Sequence, residues 1–223
     1  MEFGNQSFLW LRTLNTKIKI MGLLVIVDYG MGNIYSIQSA LKYIGIESIY
    51  TSDPAMILNA DHILLPGVGS FHVAMENILR LGLDIVLKEA VISKQIPILG
   101  ICLGMQLLGK SSTEDGFTEG LGFFNGKCEK FEASTVLKVP HVGFNDIEFP
   151  HCSKLYKGLE NHSDFYFVHS YRMVTEETKC AAYCDYGGRF VASFENDNVM
   201  GVQFHPEKSQ RNGLTLLQNF VNI

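Results

Sequence analysis

Short uninterrupted apolar runs alternate with stretches of helical period through the first half of the chain. That alternation constrains the fold more than any other feature. Residues 22–27, Gly-Leu-Leu-Val-Ile-Val, form the first run. A strand buried on both faces reads this way, with no polar residue at every second position. Ile34, Ile37, Leu41 and Ile44 follow at helical spacing and stop at Gly45. Residues 46–50, 62–65 and 97–101 are further short strands, the second of them halted by Pro66-Gly67. Residues 70–94 carry two helical patterns divided near Gly82. Strands separated by helices predict a parallel sheet covered on both faces.

The texture changes after about residue 120. Residues 127–131, 136–149, 164–174, 180–185, 189–195 and 198–204 read as short strands, some of them antiparallel. Residues 209–223 are helical, with Leu214, Leu217, Phe220 and Val221 on one side. No repeat or linker divides the chain. The expectation is a single α/β domain over 21–223, largely parallel, with helices on both faces and short, partly antiparallel strands in its second half. Residues 1–20 lack a clean period and precede a second methionine, Met21. They read as a leader or an added extension.

Composition narrows the class. The chain has 223 residues, 47% of them hydrophobic and 18% charged, too apolar for disorder. Its longest apolar run, 20–27, falls far short of the roughly 20 residues of a membrane-spanning helix. A net charge of −5 argues against a nucleic-acid binder, which would carry a basic face. The five cysteines, an odd number, read as reduced thiols in a cytoplasmic protein rather than as a disulfide scaffold. No metal set and no cofactor motif is expected; Cys180 and Cys184 have no second pair to complete a zinc site.

One pattern misleads. Gly104-Met-Gln-Leu-Leu-Gly109-Lys110-Ser111 fits the spacing of a phosphate loop. Its interior favours helix rather than a backbone cradle, and no apolar period follows Lys110. A nucleotide hydrolase is therefore a remote alternative.

The same region has a better reading. The strand at 97–101 runs directly into Gly100-Ile-Cys102-Leu-Gly104, a nucleophile elbow with cysteine in place of serine. Such a turn is tight enough to demand very small neighbours two residues away. It lifts Cys102 above the carboxyl edge of the sheet, at a helix start that favours the thiolate. An activated cysteine needs a base and a group to orient it. Among the seven histidines, His205 ends a strand, and Glu207 lies two residues on, across Pro206. Glu207 can hold the imidazole N–H. Pro66-Gly67-Val68-Gly69-Ser70 follows a strand and opens a helix, so its backbone can offer an N–H beside that of Leu103.

Together these residues resemble the class I glutamine amidotransferases of the Cys-His-Glu type. More narrowly, they resemble the glutaminase subunits of imidazole glycerol phosphate synthase. The matching strings are Asp28-Tyr-Gly-Met-Gly-Asn33, Leu65-Pro-Gly-Val-Gly-Ser70, Gly100-Ile-Cys-Leu-Gly-Met-Gln106, Val139-Pro-His-Val-Gly-Phe-Asn145, Tyr166-Phe-Val-His-Ser-Tyr171 and Gly201-Val-Gln-Phe-His-Pro-Glu207. The resemblance implies that Cys102 attacks glutamine, with His205 and Glu207 completing the triad. It implies oxyanion N–H groups from Val68 and Leu103, and glutamine contacts from Gly69, Gln106, Ser170 and Tyr171. It also implies a heterodimer with a (βα)₈-barrel cyclase that receives the ammonia in histidine biosynthesis, meeting this chain at Pro140, Phe144 and Asn145. Such families usually read Gly-Trp-Asn where this chain has Gly143-Phe144-Asn145. Related glutaminases that feed amidine-forming enzymes of surface-sugar synthesis are the alternative this departure raises.

Overall fold

The computed structural model describes residues 22–132, 138–175 and 179–223. The expected leader at 1–20 lies outside them. In chain order the elements are β1 (Leu24–Val27), α1 (Ile34–Tyr43), β2 (Ser48–Thr51), α2 (Pro54–Leu58), β3 (His62–Leu65), α3 (Phe71–Arg80), α4 (Leu83–Lys88), a π turn (Glu89–Ser93), β4 (Ile98–Ile101) and α5 (Leu103–Leu107). Then come β5 (Ser111–Ser112), β6 (Thr118–Glu119), β7 (Lys127–Lys130), β8 (His141–Ile147), β9 (Ser163–His169), β10 (Tyr171–Val174), β11 (Cys180–Asp185), β12 (Arg189–Asn196) and β13 (Val199–Val202). A 3₁₀ turn (Pro206–Lys208) and α6 (Gln210–Phe220) close the chain.

The main sheet has seven strands in the order β11-β12-β13-β4-β3-β1-β2. From β13 to β2 every pairing is parallel. β12 is antiparallel to both β11 and β13. Alternate residues of each central strand enter two separate cores, as the period of two requires. Val25, Val27, Ile63, Leu65 and Ile98 pack with Phe71, Met75 and Ile78 of α3 and Leu83 and Leu87 of α4. Leu24, Ile26, Leu64, Leu99 and Ile101 pack with Ile37 and Leu41 of α1 and Leu216, Leu217 and Phe220 of α6. Both faces are thus covered, and the continuous apolar runs are explained.

Two smaller sheets pack into these cores, with Ile147, Phe165 and Phe167 in one and Cys128 and Met173 in the other. β8 and β9 form an antiparallel hairpin from His141↔His169 to Ile147↔Ser163. β10, β7, β5 and β6 form the second layer. The expected strand at 164–174 is two strands, broken at Ser170. Periodicity does not announce α2, a five-residue helix opened by Asp53, whose carboxylate accepts from Ala55 N–H at 2.9 Å.

One expectation needs correction. The cysteines are not all free thiols: a disulfide joins Cys152 to Cys180, whose Cα atoms lie 6.4 Å apart. Hairpin connections carry Cys152 to the start of β11, a proximity invisible at a separation of 28 residues. The phosphate-loop pattern, already only a remote alternative, does not form. Leu103–Leu107 is already helical, and Ser111–Ser112 after Lys110 is a strand, so no helix begins where a phosphate would sit.

Candidate active site

The elbow forms as the glycine spacing demands. Cys102 links β4 to α5 with φ 54° and ψ −108°, a conformation that side chains other than glycine rarely adopt. Its N–H donates to Val202 O at 2.8 Å, tying the turn to β13. A Cβ on Gly100 would lie 2.6 Å from Met105 N, and one on Gly104 would collide with the Leu65 carbonyl. The turn therefore closes only with glycine at both places.

The candidate base arrives from the neighbouring strand. β13 pairs with β4 so that Gly201 lies beside Gly100 and Val202 beside Ile101. The chain beyond β13 carries His205 over the same edge. His205 Nδ1 donates to Glu207 Oε1 at 2.8 Å, and both side chains are buried. Backbone bonds hold the ring's position: His205 N donates to Tyr166 O at 2.8 Å, and Ser209 Oγ donates to His205 O at 2.6 Å. With Nδ1 committed to Glu207, Nε2 faces the pocket, without a hydrogen-bond partner of ordinary geometry among the described residues. Burial pushes the imidazole pKa down, but Cys102 and then Glu207 outweigh it and raise it to about 10. The surroundings therefore favour the imidazolium form of His205.

A pocket of about 410 Å³ opens over these residues. Cys102, His205, Val68, Gly69, Leu103, Gln106, Ser170, Tyr171 and Pro140 all line it. Of the expected site residues, Glu207 stands behind His205, and Phe144 and Asn145 lie outside the pocket. Phe144 is half-exposed on β8, its ring 5.4 Å from that of Tyr166. Asn145 Nδ2 donates to Asp185 O at 3.2 Å.

Two residues at the site were not singled out by spacing. Glu114 lines the pocket, and its Oε2 accepts from Phe71 N at 2.8 Å, capping α3. Burial holds its carboxyl above the ordinary range, opposed by that N–H. A loop acid two residues past a short strand gives no signal in sequence. Tyr29 donates from Oη to Pro66 O at 2.5 Å and is fully buried. It fastens the 28–33 loop to the 66–69 loop. The Asp-Tyr-Gly-Met-Gly-Asn string marked the position without disclosing the bond.

A model for class-I glutamine amidotransferases matches residues 25–223. Imidazole glycerol phosphate synthase subunit HisH 1 of Parasynechococcus marenigrum is 49% identical over 209 residues, covering 91% of this chain and 99% of its own length. Subunit HisH 1 of Campylobacter jejuni is 45% identical over 201 residues, covering 90% and 100%. Among solved structures, PurLQS from Thermotoga maritima superposes with a TM-score of 0.66 at 19% identity, over 91% of this chain and 99% of that one. That likeness speaks to the fold. A glutamine amidotransferase structure gives the same TM-score at 18% identity, over 89% and 97%. With nearly half its residues shared with a HisH subunit along almost the whole of both chains, this chain belongs to the class-I glutamine amidotransferase family, in its HisH branch.

Proposed function

We propose that Cys102, His205 and Glu207 hydrolyse glutamine to glutamate and ammonia. The observation that carries this reading is the buried 2.8 Å bond from His205 to Glu207, in the pocket that also presents the strained Cys102. The thiolate attacks the side-chain amide carbon, and the carbonyl oxygen becomes an oxyanion. Backbone N–H groups of Val68 and Leu103, at the two loops flanking the sulfur, receive it. The His205 imidazolium gives its proton to the departing nitrogen, so ammonia leaves and a thioester remains. Neutral His205 then takes a proton from water, whose oxygen attacks the thioester. Glutamate departs and the thiolate returns. Gly69, Gln106, Ser170 and Tyr171 hold the glutamine, and the Glu114 carboxylate pairs with its α-ammonium.

Ammonia in water near neutral pH is mostly ammonium and no nucleophile, so it must pass directly to a second active site. The recipient is a (βα)₈-barrel cyclase bound over β8, making imidazole glycerol phosphate and an aminoimidazole ribotide. Val142 and Phe144 present half-exposed apolar surface there, and Pro140 reaches from the same segment into the pocket. The Phe144 ring meets Tyr166, and Lys208 Nζ lies 5.7 Å from the Tyr166 ring. A partner pressing on Phe144 thus touches the turn that carries Glu207. We infer a cytoplasmic setting, where Cys102 stays a free thiol. No helix among the described residues is long and apolar enough to cross a membrane.

The test pairs this chain with the barrel subunit of a histidine-pathway synthase. Glutamine-dependent imidazole glycerol phosphate should form with the unaltered chain. It should stop with Cys102→Ala, while the two subunits still co-elute. Continued glutamate release by Cys102→Ala would sink the triad. Normal glutamate release without cyclase product would sink the pathway.

A further inference from the structure

Beneath Cys102 lies a chain of polar side chains that the triad does not use. Gln203 follows β13 and is fully buried, and Gln106 on α5 is nearly so. Gln106 Nε2 donates to Tyr171 O at 3.1 Å and to Gln203 Oε1 at 3.0 Å. Gln203 Nε2 lies 3.8 Å from Cys102 Sγ. The direction of these bonds follows from one end. A backbone carbonyl can only accept, so the end of Gln106 facing Tyr171 must be its NH₂ group. That NH₂ also meets Gln203, so Gln203 must turn its oxygen toward it. Its own NH₂ is then left to face the sulfur.

We propose that Gln203 is a positioning residue for the nucleophile: its buried NH₂ group donates to Cys102 Sγ and favours the thiolate, in an orientation set through Gln106 by the glutamine-binding strand at Tyr171. Val168 O, a backbone acceptor near the sulfur, lies 3.9 Å away. It can accept from a thiol but repels a thiolate. Gln203 works the other way, because a donor binds an anion more strongly than a neutral acceptor. The titratable groups facing the sulfur are His205, backed by Glu207, and Tyr29, whose phenol burial keeps protonated. The relay adds a neutral donor to them from the protein interior. Because it begins at Tyr171, glutamine seated against that strand tightens the arrangement that activates its own attacker.

The proposal rests on Cys102 being the nucleophile, and the experiment separates the two. Iodoacetamide alkylation of the full chain, read at the Cys102 peptide by mass spectrometry, gives a rate at each pH. In Gln203→Leu the alkylation midpoint should rise by about one pH unit, slowing the reaction roughly tenfold at any pH below it. Gln203→Glu keeps the shape and the acceptor toward Gln106 but turns an oxygen to the sulfur, so its midpoint should rise further. Gln106→Met removes the donor that orients Gln203 and should move the midpoint the same way. In both Gln203 variants kcat should fall with KM within about twofold. A glutamine that only fills space would lower the melting temperature and leave the midpoint alone. An unchanged midpoint in either folded Gln203 variant overturns the relay. If Cys102 of the unaltered chain labels no faster than Cys128 and Cys184, the nucleophile assignment itself fails.

Discussion

His141 Nδ1 lies 3.1 Å from His169 Nε2, and both rings are buried, that of His169 against the candidate pocket. His169 Nδ1 donates to Tyr171 O at 2.8 Å, so its Nε2 accepts and His141 Nδ1 carries the proton between them. Burial lowers the pKa of His141 to about 4 and that of His169 to about 3. Between those values and 6.5 the unfolded chain binds more protons than the folded one, so stability falls as pH drops through this window. From His169 alone the loss by pH 5 should be about 2 kcal/mol. Urea unfolding at pH 7 and pH 5 checks this. A His169→Asn variant showing the same difference would refute it.

Glu207→Gln tests the charge at His205. The raised pKa, about 10, keeps the imidazolium available to protonate the leaving nitrogen through neutral pH. Any stabilisation from this pairing is complete below 6.5 and lost as pH rises through about 10. Removing the carboxylate lets the proton leave sooner. The alkaline limb of kcat/KM should therefore move down by at least about one pH unit. A pH–rate profile with an unmoved limb would count against His205 as the acid.

Tyr29→Phe removes only the hydroxyl that holds the Pro66 carbonyl. The 66–69 loop then loses the anchor that aims its backbone at the pocket. We expect kcat to fall roughly tenfold, with KM nearly constant, since oxyanion binding matters only in the transition state. Stability should drop by about 1–2 kcal/mol for the orphaned buried carbonyl. A loss confined to KM would place the hydroxyl in substrate binding instead.

Gly104→Ala should be far costlier than its single methyl suggests. The new Cβ meets the Leu65 carbonyl, a backbone atom at the end of β3 that cannot turn aside. Destabilisation of at least about 3 kcal/mol is expected, at the upper end of overpacking costs. A variant melting within a degree or two of the unaltered chain would contradict the packing described at the elbow.

Reducing the Cys152–Cys180 bridge should lower stability by about 2–4 kcal/mol, because the intact bridge restricts the conformational freedom of the unfolded chain. Activity at moderate temperature should not change. The bridge ends on β11, separated from β4 in the sheet by β12 and β13. Melting curves with and without dithiothreitol, with Cys152→Ser as the control, provide the measurement. A parallel fall in glutaminase rate would show a link between that edge and the pocket.

The parallel half of the fold was legible because strands buried on both faces leave unbroken apolar runs, and each of 22–27, 62–65 and 97–101 does so. Cys102, His205 and Glu207 were legible because tight turns confine their neighbours to glycine and proline. The antiparallel half was less so. Ser170 breaks one apparent strand into two, and nothing in Tyr166–Tyr171 spells that break. The Cys152–Cys180 bridge and the Glu114 cap both join segments whose proximity arises only after the hairpins fold. Spacing cannot report such contacts, since neither partner needs an unusual neighbour in the chain.

The pairing of β13 with β4 also dictates when this protein acquires its reactivity during synthesis. Gly100 and Gly201 are neighbours across the sheet, yet half the polypeptide is made between them. Until Val199–Val202 slides in beside Ile98–Ile101, the Cys102 turn lacks the Val202 carbonyl that secures it and has no imidazole above it. The proposed nucleophile thus meets His205 only once β13, the last strand of the described residues, is in place.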